Sequence, residues 1–255
     1  MEVHHHPVSG NKHFKEYFLE FLMSFLAVSM GFFAESFREH LLDKDKEKQS
    51  IQSIIKSIAG DTLQLRAIEY ANGRAVSFLD RTLKLKDSDL RIPRTKTEFY
   101  VDILNGAYYD VYFNSNSAAF QQLQATGSLR LIGNQHIVDS IFQYEQNTSK
   151  ILRQENDQYF FTKNVWNEIS SLIDVSFFLR DGASRTEISR AYSFKLPKGK
   201  DLLLNYDRRA FDKLFNVVTA LGLSTQVYKD LIHGQLLYGR QLIGLLKDQY
   251  DLKSN

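Results

Sequence analysis

Between residues 14 and 37 the chain reads FKEYFLEFLMSFLAVSMGFFAESF, and residues 21–34 are apolar or small without a break. A helix drawn over them is greasy on every face, whereas the core helix of a soluble protein keeps a polar side. At 1.5 Å per residue, residues 17–34 span roughly 27 Å, close to the hydrocarbon thickness of a bilayer. The pattern predicts a transmembrane anchor over 14–37. A cleaved secretory signal is the competing reading, with Lys12 and Lys15 as its basic region and Ala27-Val28-Ser29 as a small-x-small cleavage site. Against cleavage, the apolar run continues through Met30, Phe32 and Phe33, and helical patterning carries on beyond them.

Past residue 35 the sequence turns charged, and residues 43–48 alternate acid and base like a solvated helix face. Ile54, Ile58, Leu65, Ile68, Ala75 and Leu79 then fall on a three-four repeat interrupted by the polar Asp61 and Asn72. The anchor and this repeat predict one helix that leaves the membrane and runs to about residue 85 as a stalk, kinked at Gly60. Pro93, in the link 86–95, ends it. A short helix follows at 97–105, an extended or irregular stretch at 106–114, and a helix at 117–125 that Gly127 stops.

A second long helix is predicted over 135–173, with Ile137, Ile141, Tyr144, Ile151, Tyr159, Trp166, Ile169 and Ile173 in a seven-residue rhythm. Thr148, Glu155 and Thr162 fill its seam. After a loop at 180–200, Asp207 caps a helix carrying Phe211, Leu214, Phe215 and Val218 that closes near Gly222. Ser224 caps a last helix, with Val227, Leu231, Leu236, Tyr238, Leu242, Leu245 and Leu246 as its apolar face. The expected fold is all-α: an N-terminal transmembrane helix continuing into a long stalk within an elongated antiparallel helical bundle. Its expected parts are a flexible polar tail (1–13), the anchor (14–37) and a helical soluble domain (38–255).

Composition refines this picture. The chain has 255 residues, so about 220 follow the anchor, enough for one sizeable domain. A net charge of +2 with 24% charged residues lacks the basic field of a nucleic-acid binder. The phrase AFQQLQATGSLRLIGNQHIVDSIFQY imitates a helix-turn-helix, yet its second helix has acids at Asp139 and Glu145 and no Lys or Arg before Lys150, so no nucleic-acid partner is expected. Zero cysteines exclude disulfides and thiolate metal sites.

Candidate chemistry is sparse. There is no phosphate-binding glycine loop, dinucleotide turn, HExxH or GxSxG, and no catalytic, cofactor-binding or metal-binding residue is assigned. His4, His5, His6 and His13 lie in the tail, and His40, His136 and His233 stand singly. Glu35, Glu39 and His40 lie just past the anchor and read as a solvated face. Arg180, Arg185, Arg190, Arg208 and Arg209 are candidates for phosphate or headgroup contact. Within the anchor, Ser24, Ala27, Gly31 and Ala34 form one stripe of small residues, the pattern that lets helices approach closely in lipid. Glu20, one turn before Ser24 on that stripe, is a possible intramembrane polar site.

The stretch FLEFLMSFLAVSMGFFAESFREH, the charged stalk behind it and the phrase FQQLQATGSLRLIGNQHIVDSIFQY resemble an uncharacterised family of bacterial single-pass membrane proteins with an N-terminal anchor and a helical domain. The resemblance implies that topology and a bacterial inner-membrane location, and carries no activity with it. Arg38, Lys44, Lys46 and Lys48 outnumber Lys12 and Lys15, so the helical domain leans cytoplasmic. The expected function is a non-catalytic, membrane-anchored oligomeric scaffold or accessory subunit, whose partners are the lipid bilayer and either further copies of itself or another membrane protein. Two alternatives are a tethered sensor binding a small ligand among Tyr108, Tyr109, Tyr112 and Trp166, and a subunit of an ion-conducting complex that uses Glu20.

Overall fold

The computed structural model describes residues 14–108, 111–176 and 201–252, and these form an all-α bundle. The predicted tail, Tyr109 and the loop 180–200 with its three arginines lie outside the described residues. One helix, α1 (Phe14–Lys84), contains the anchor and the stalk without interruption through Gly60. At 1.5 Å per residue its 71 residues reach roughly 107 Å. Then come α2 (Pro93–Gly106), α3 (Ala118–Ala125), a 3-10 turn (Ser128–Leu131), α4 (Gln135–Leu172) and α5 (Arg208–Gln249).

Three long columns make the bundle. Glu168 meets Lys213, Gln154 meets Ser224 and Gln235 meets Tyr144, so α5 descends as α4 rises. Asp61 meets Tyr144 and Asn72 meets Gln158, so α4 runs parallel to α1. Consequently the start of α4 and the end of α5 both lie at the anchor end of the bundle. The buried positions of α1, at Ile51, Ile54, Ile58, Asp61, Leu65, Ile68 and Asn72, alternate steps of three and four. This spacing keeps one stripe facing its neighbours over many turns.

Apolar and polar layers alternate along the column. Nearest the anchor, Ile51, Ile54 and Ile58 pack with Phe120, Ile137, Leu242 and Leu246. In the middle, Leu65 and Ile68 pack with Phe113, Ile151, Tyr228 and Ile232. At the far end, Leu79 meets Phe99 and Ile103 of α2, Leu172 of α4 and Phe215 of α5. Each fully buried Leu or Ile contributes about 1.5–3 kcal/mol.

Several expectations are corrected. The break at Gly222 and the cap at Ser224 do not occur: α5 passes through both, and Ser224 is a buried seam residue whose hydroxyl accepts from Gln154 at 3.0 Å. Pro93 starts α2 instead of lying in a link, because its missing N–H costs nothing in a first turn. On α4 the seam runs through Gln158 and Val165, while Tyr159 is 54% exposed. On α5 it runs through Tyr228, Ile232 and Gly239, while Val227 is 49% exposed.

Candidate functional site

The anchor part of α1 is long and apolar enough to cross a bilayer, and no other described part of the chain covers it. Phe21, Met23, Phe25, Val28, Phe32 and Phe33 all stand more than half exposed. In water this surface would be strongly unfavourable, at about 25 cal/mol per Å² of apolar area. The small residues Ser24, Ala27, Gly31 and Ala34 lie within this uncovered length, and a Cβ built on Gly31 meets nothing within 4 Å. Glu20 is also at the exposed surface of α1, with no other described helix beside it.

Below the anchor two ion pairs form along the helix. Arg38 holds Glu35 at 3.0 Å and Lys46 holds Asp43 at 3.2 Å, both one turn apart. Glu35, Glu39 and His40 make no metal-ligating group, and none occurs among the described residues. His233 pairs with Glu69 at 2.8 Å, and His136 gives its backbone N–H to the Asn134 cap at 3.0 Å while its carbonyl accepts from the Ser140 hydroxyl at 2.7 Å. Arg208 is tied to Asp87 at 3.1 Å and Asp212 at 3.4 Å, at the far end of the bundle and away from the anchor.

The polar layers inside the bundle are hydrogen-bonded networks between elements, in which the Gln158 and Gln235 side-chain oxygens are buried without a hydrogen-bond partner among the described residues. Asp61, 2% exposed, accepts the Asn116 backbone N–H at 2.7 Å and the Tyr144 hydroxyl at 3.1 Å. Burial pushes its carboxyl up, against the opposing pull of those two donors. Glu155 accepts the Phe113 backbone N–H at 2.8 Å and the Tyr228 hydroxyl at 3.0 Å. Gln158 gives one amide proton to Asn72 at 2.8 Å and the other to Thr225 at 3.2 Å. In each layer a group on α4 bridges to another element, either a facing helix or the 111–116 stretch. Removing one partner would strand a buried donor or acceptor, at about 1–3 kcal/mol.

A hydrogen-bonded cluster around one carboxylate lies at the far end. Asp201 accepts Lys96 Nζ at 2.6 Å, the Tyr100 hydroxyl at 2.8 Å and the Tyr206 hydroxyl at 2.9 Å. Partial burial pushes this carboxyl up, but the donors outweigh it and hold it below the usual carboxylate range. Because Leu202 and Leu204 pair in the same segment with the end of α4, the cluster works as a clamp that seats residues 201–206 on α2 and α4.

Among the described residues, Tyr108, Tyr112 and Trp166 are not brought into one open site. Trp166 Nε1 donates to the Ala107 carbonyl at 2.8 Å, and Tyr112 is mostly exposed. The cavity beside Tyr108, lined also by Asn72, Phe78 and Asn105, holds about 10 Å³, room for one water at most. Compared with known proteins, the chain finds no match among family models, curated proteins or solved structures.

Proposed function

We propose that this chain is a non-catalytic, single-pass membrane-anchored helical protein that acts as an oligomeric scaffold or accessory subunit, with its anchor in a bacterial inner membrane and its bundle on the cytoplasmic side. The observation that carries the reading is that one unbroken helix supplies both the uncovered apolar segment and the central column of the bundle. A helix without a break transmits position: whatever the membrane segment binds fixes where the bundle stands. The small stripe of Ser24, Ala27, Gly31 and Ala34 gives the membrane segment a surface for a neighbouring helix. The alternatives draw less support. Among the described residues the cavity at Tyr108 is too small for a ligand, and conduction through Glu20 requires helices from other chains around it.

The anchored reading expects the chain to stay with the lipid pellet after alkaline washing of membranes, and recovery from the aqueous fraction would overturn it. Ala27→Leu with Gly31→Leu should lower the mass of the detergent-extracted assembly in light scattering. An unchanged mass would remove self-association through the stripe.

A further inference from the structure

Asp61 of α1 and Glu145 of α4 line one narrow crevice in the anchor-end core, roofed by Asn116 and Phe120. The crevice holds about 10 Å³, room for one water, so little solvent separates the two carboxyls. Asp61 is the deeper of the two, and its oxygens are both taken, by the Asn116 backbone N–H at 2.7 Å and the Tyr144 hydroxyl at 3.1 Å. Glu145 lies half-buried beside it. No Lys, Arg or His lines the crevice. The titratable groups facing it are Asp61, Glu145 and Tyr144, and burial pushes the Tyr144 hydroxyl up, so that it stays a donor. The roof supplies no cation, since residues 111–129 contain no Asp, Glu, Lys, Arg or His. On the remaining side α5 meets Tyr144 at Gln235 and Gly239, both uncharged. Two carboxylates so enclosed resist ionising together, and the proton stays on the one with fewer donors.

The roof is held by few bonds. Backbone N–H groups of Phe113, Asn114 and Asn116 reach the side chains of Glu155, Gln64 and Asp61. Beyond them α3 packs Phe120 and Leu123 against the anchor-end core. α1, α4 and α5 are joined by seams many turns long, so a strained crevice opens at its roof before its walls.

We propose that residues 111–131 form a pH-controlled flap over the anchor end of the bundle, latched through Asp61 while Glu145 carries a proton and loosened as Glu145 ionises. With Glu145 neutral, the crevice holds one negative charge and two donors satisfy it. With both carboxyls ionised, lifting the flap admits water to them at the loss of the Asn116 bond, and uncovers Ile54, Ile58 and Ile141. Under the closed flap Glu145 titrates at about 7, and in water at its ordinary 4.5. The open fraction is therefore smallest below about pH 4.5, climbs between those values and levels off above about 7.

Hydrogen exchange of the full chain in detergent, read by mass spectrometry with labelling times scaled to the intrinsic rate at each pH, tests the flap. Exchange over 111–131 should quicken about tenfold between about pH 5 and about pH 7.5, then level off, while the α4 seam at 151–165 keeps its protection. Glu145→Gln should hold the flap's exchange at its slow value throughout. Asp61→Asn, which keeps an oxygen for Asn116 but no charge, should reduce the rise. A flat profile in the parent, or a rise that persists undiminished in either variant, would overturn the latch. An equal rise over 151–165 would mean that the whole bundle loosens, and would overturn it too. None of these outcomes bears on the anchor, which the alkaline wash tests separately.

Discussion

Glu145 lines the same small crevice as Asp61, and its carboxyl is pushed up to about 7 by burial and then by the Asp61 charge. In the unfolded chain it titrates at its ordinary 4.5. Between those values the folded protein keeps a proton that the unfolded chain has released, so stability is full below about pH 4.5 and declines as pH rises toward about 7. Glu145→Gln should remove that decline. Denaturant titration should find the variant more stable than the parent above pH 7 by on the order of 1 kcal/mol after solvent screening, and equal to it near about pH 4. Parallel pH profiles would reject this account. At this scale the sequence showed part of the truth: Asp61 and Asn72 stand out as polar positions on an apolar repeat. Their partners Tyr144 and Gln158 lie 83 and 86 residues away; Tyr144 stands out on its own helix's rhythm, but nothing local pairs it with Asp61 or singles out Gln158.

Element boundaries were legible where the chain itself sets them. Gly127, at φ +66°, adopts the left-handed conformation that favours glycine and ends the α3 turn as expected. Gly222 looks the same in sequence and does the opposite, sitting inside α5 with ordinary helical neighbours. A Cβ added there meets nothing within 4 Å. Gly222→Ala should therefore stabilise the protein by about 0.5–1 kcal/mol, by restricting the unfolded chain and favouring the helix. The check is the urea midpoint, and a fall in it would restore a chain break at that position. Gly239 differs, since its Cβ would lie 3.2 Å from Ile58 and 3.3 Å from Tyr144, where α5 crosses both other columns. The phase errors on α4 and α5 share one cause. Their seams pass through Gln158, Gln235 and Gly239, and the apolar residues one place away, Tyr159 and Tyr238, attract a hydrophobic reading.

For the whole molecule, the membrane-anchored proposal together with an unbroken α1 expects a bundle that stands away from the bilayer. Lys84 lies roughly 75 Å along the helix axis from Ala34. The chain has no cysteine, so a single label can be placed without removing any. Leu41→Cys, labelled in liposomes that carry surface acceptors, should show strong energy transfer, and Lys84→Cys should show almost none. Efficient transfer from both sites would mean that the bundle lies flat on the membrane and that α1 bends.

What the sequence determined alone was whatever depends on neighbours in the chain: an apolar run long enough for a bilayer, the three-four repeat of α1, and a wholly helical composition of elements. Periodicity expresses which face a helix must bury, and that is local information. Only the tertiary structure decided which residues fill the seams of α4 and α5, that Gly222 and Ser224 lie within one helix, and that Lys44, Lys48 and Arg130 line one recess. Burial between facing columns outweighs the weak local preferences of a glycine or a serine. Charges 82 residues apart share one recess only when α1 and the turn before α4 are packed side by side.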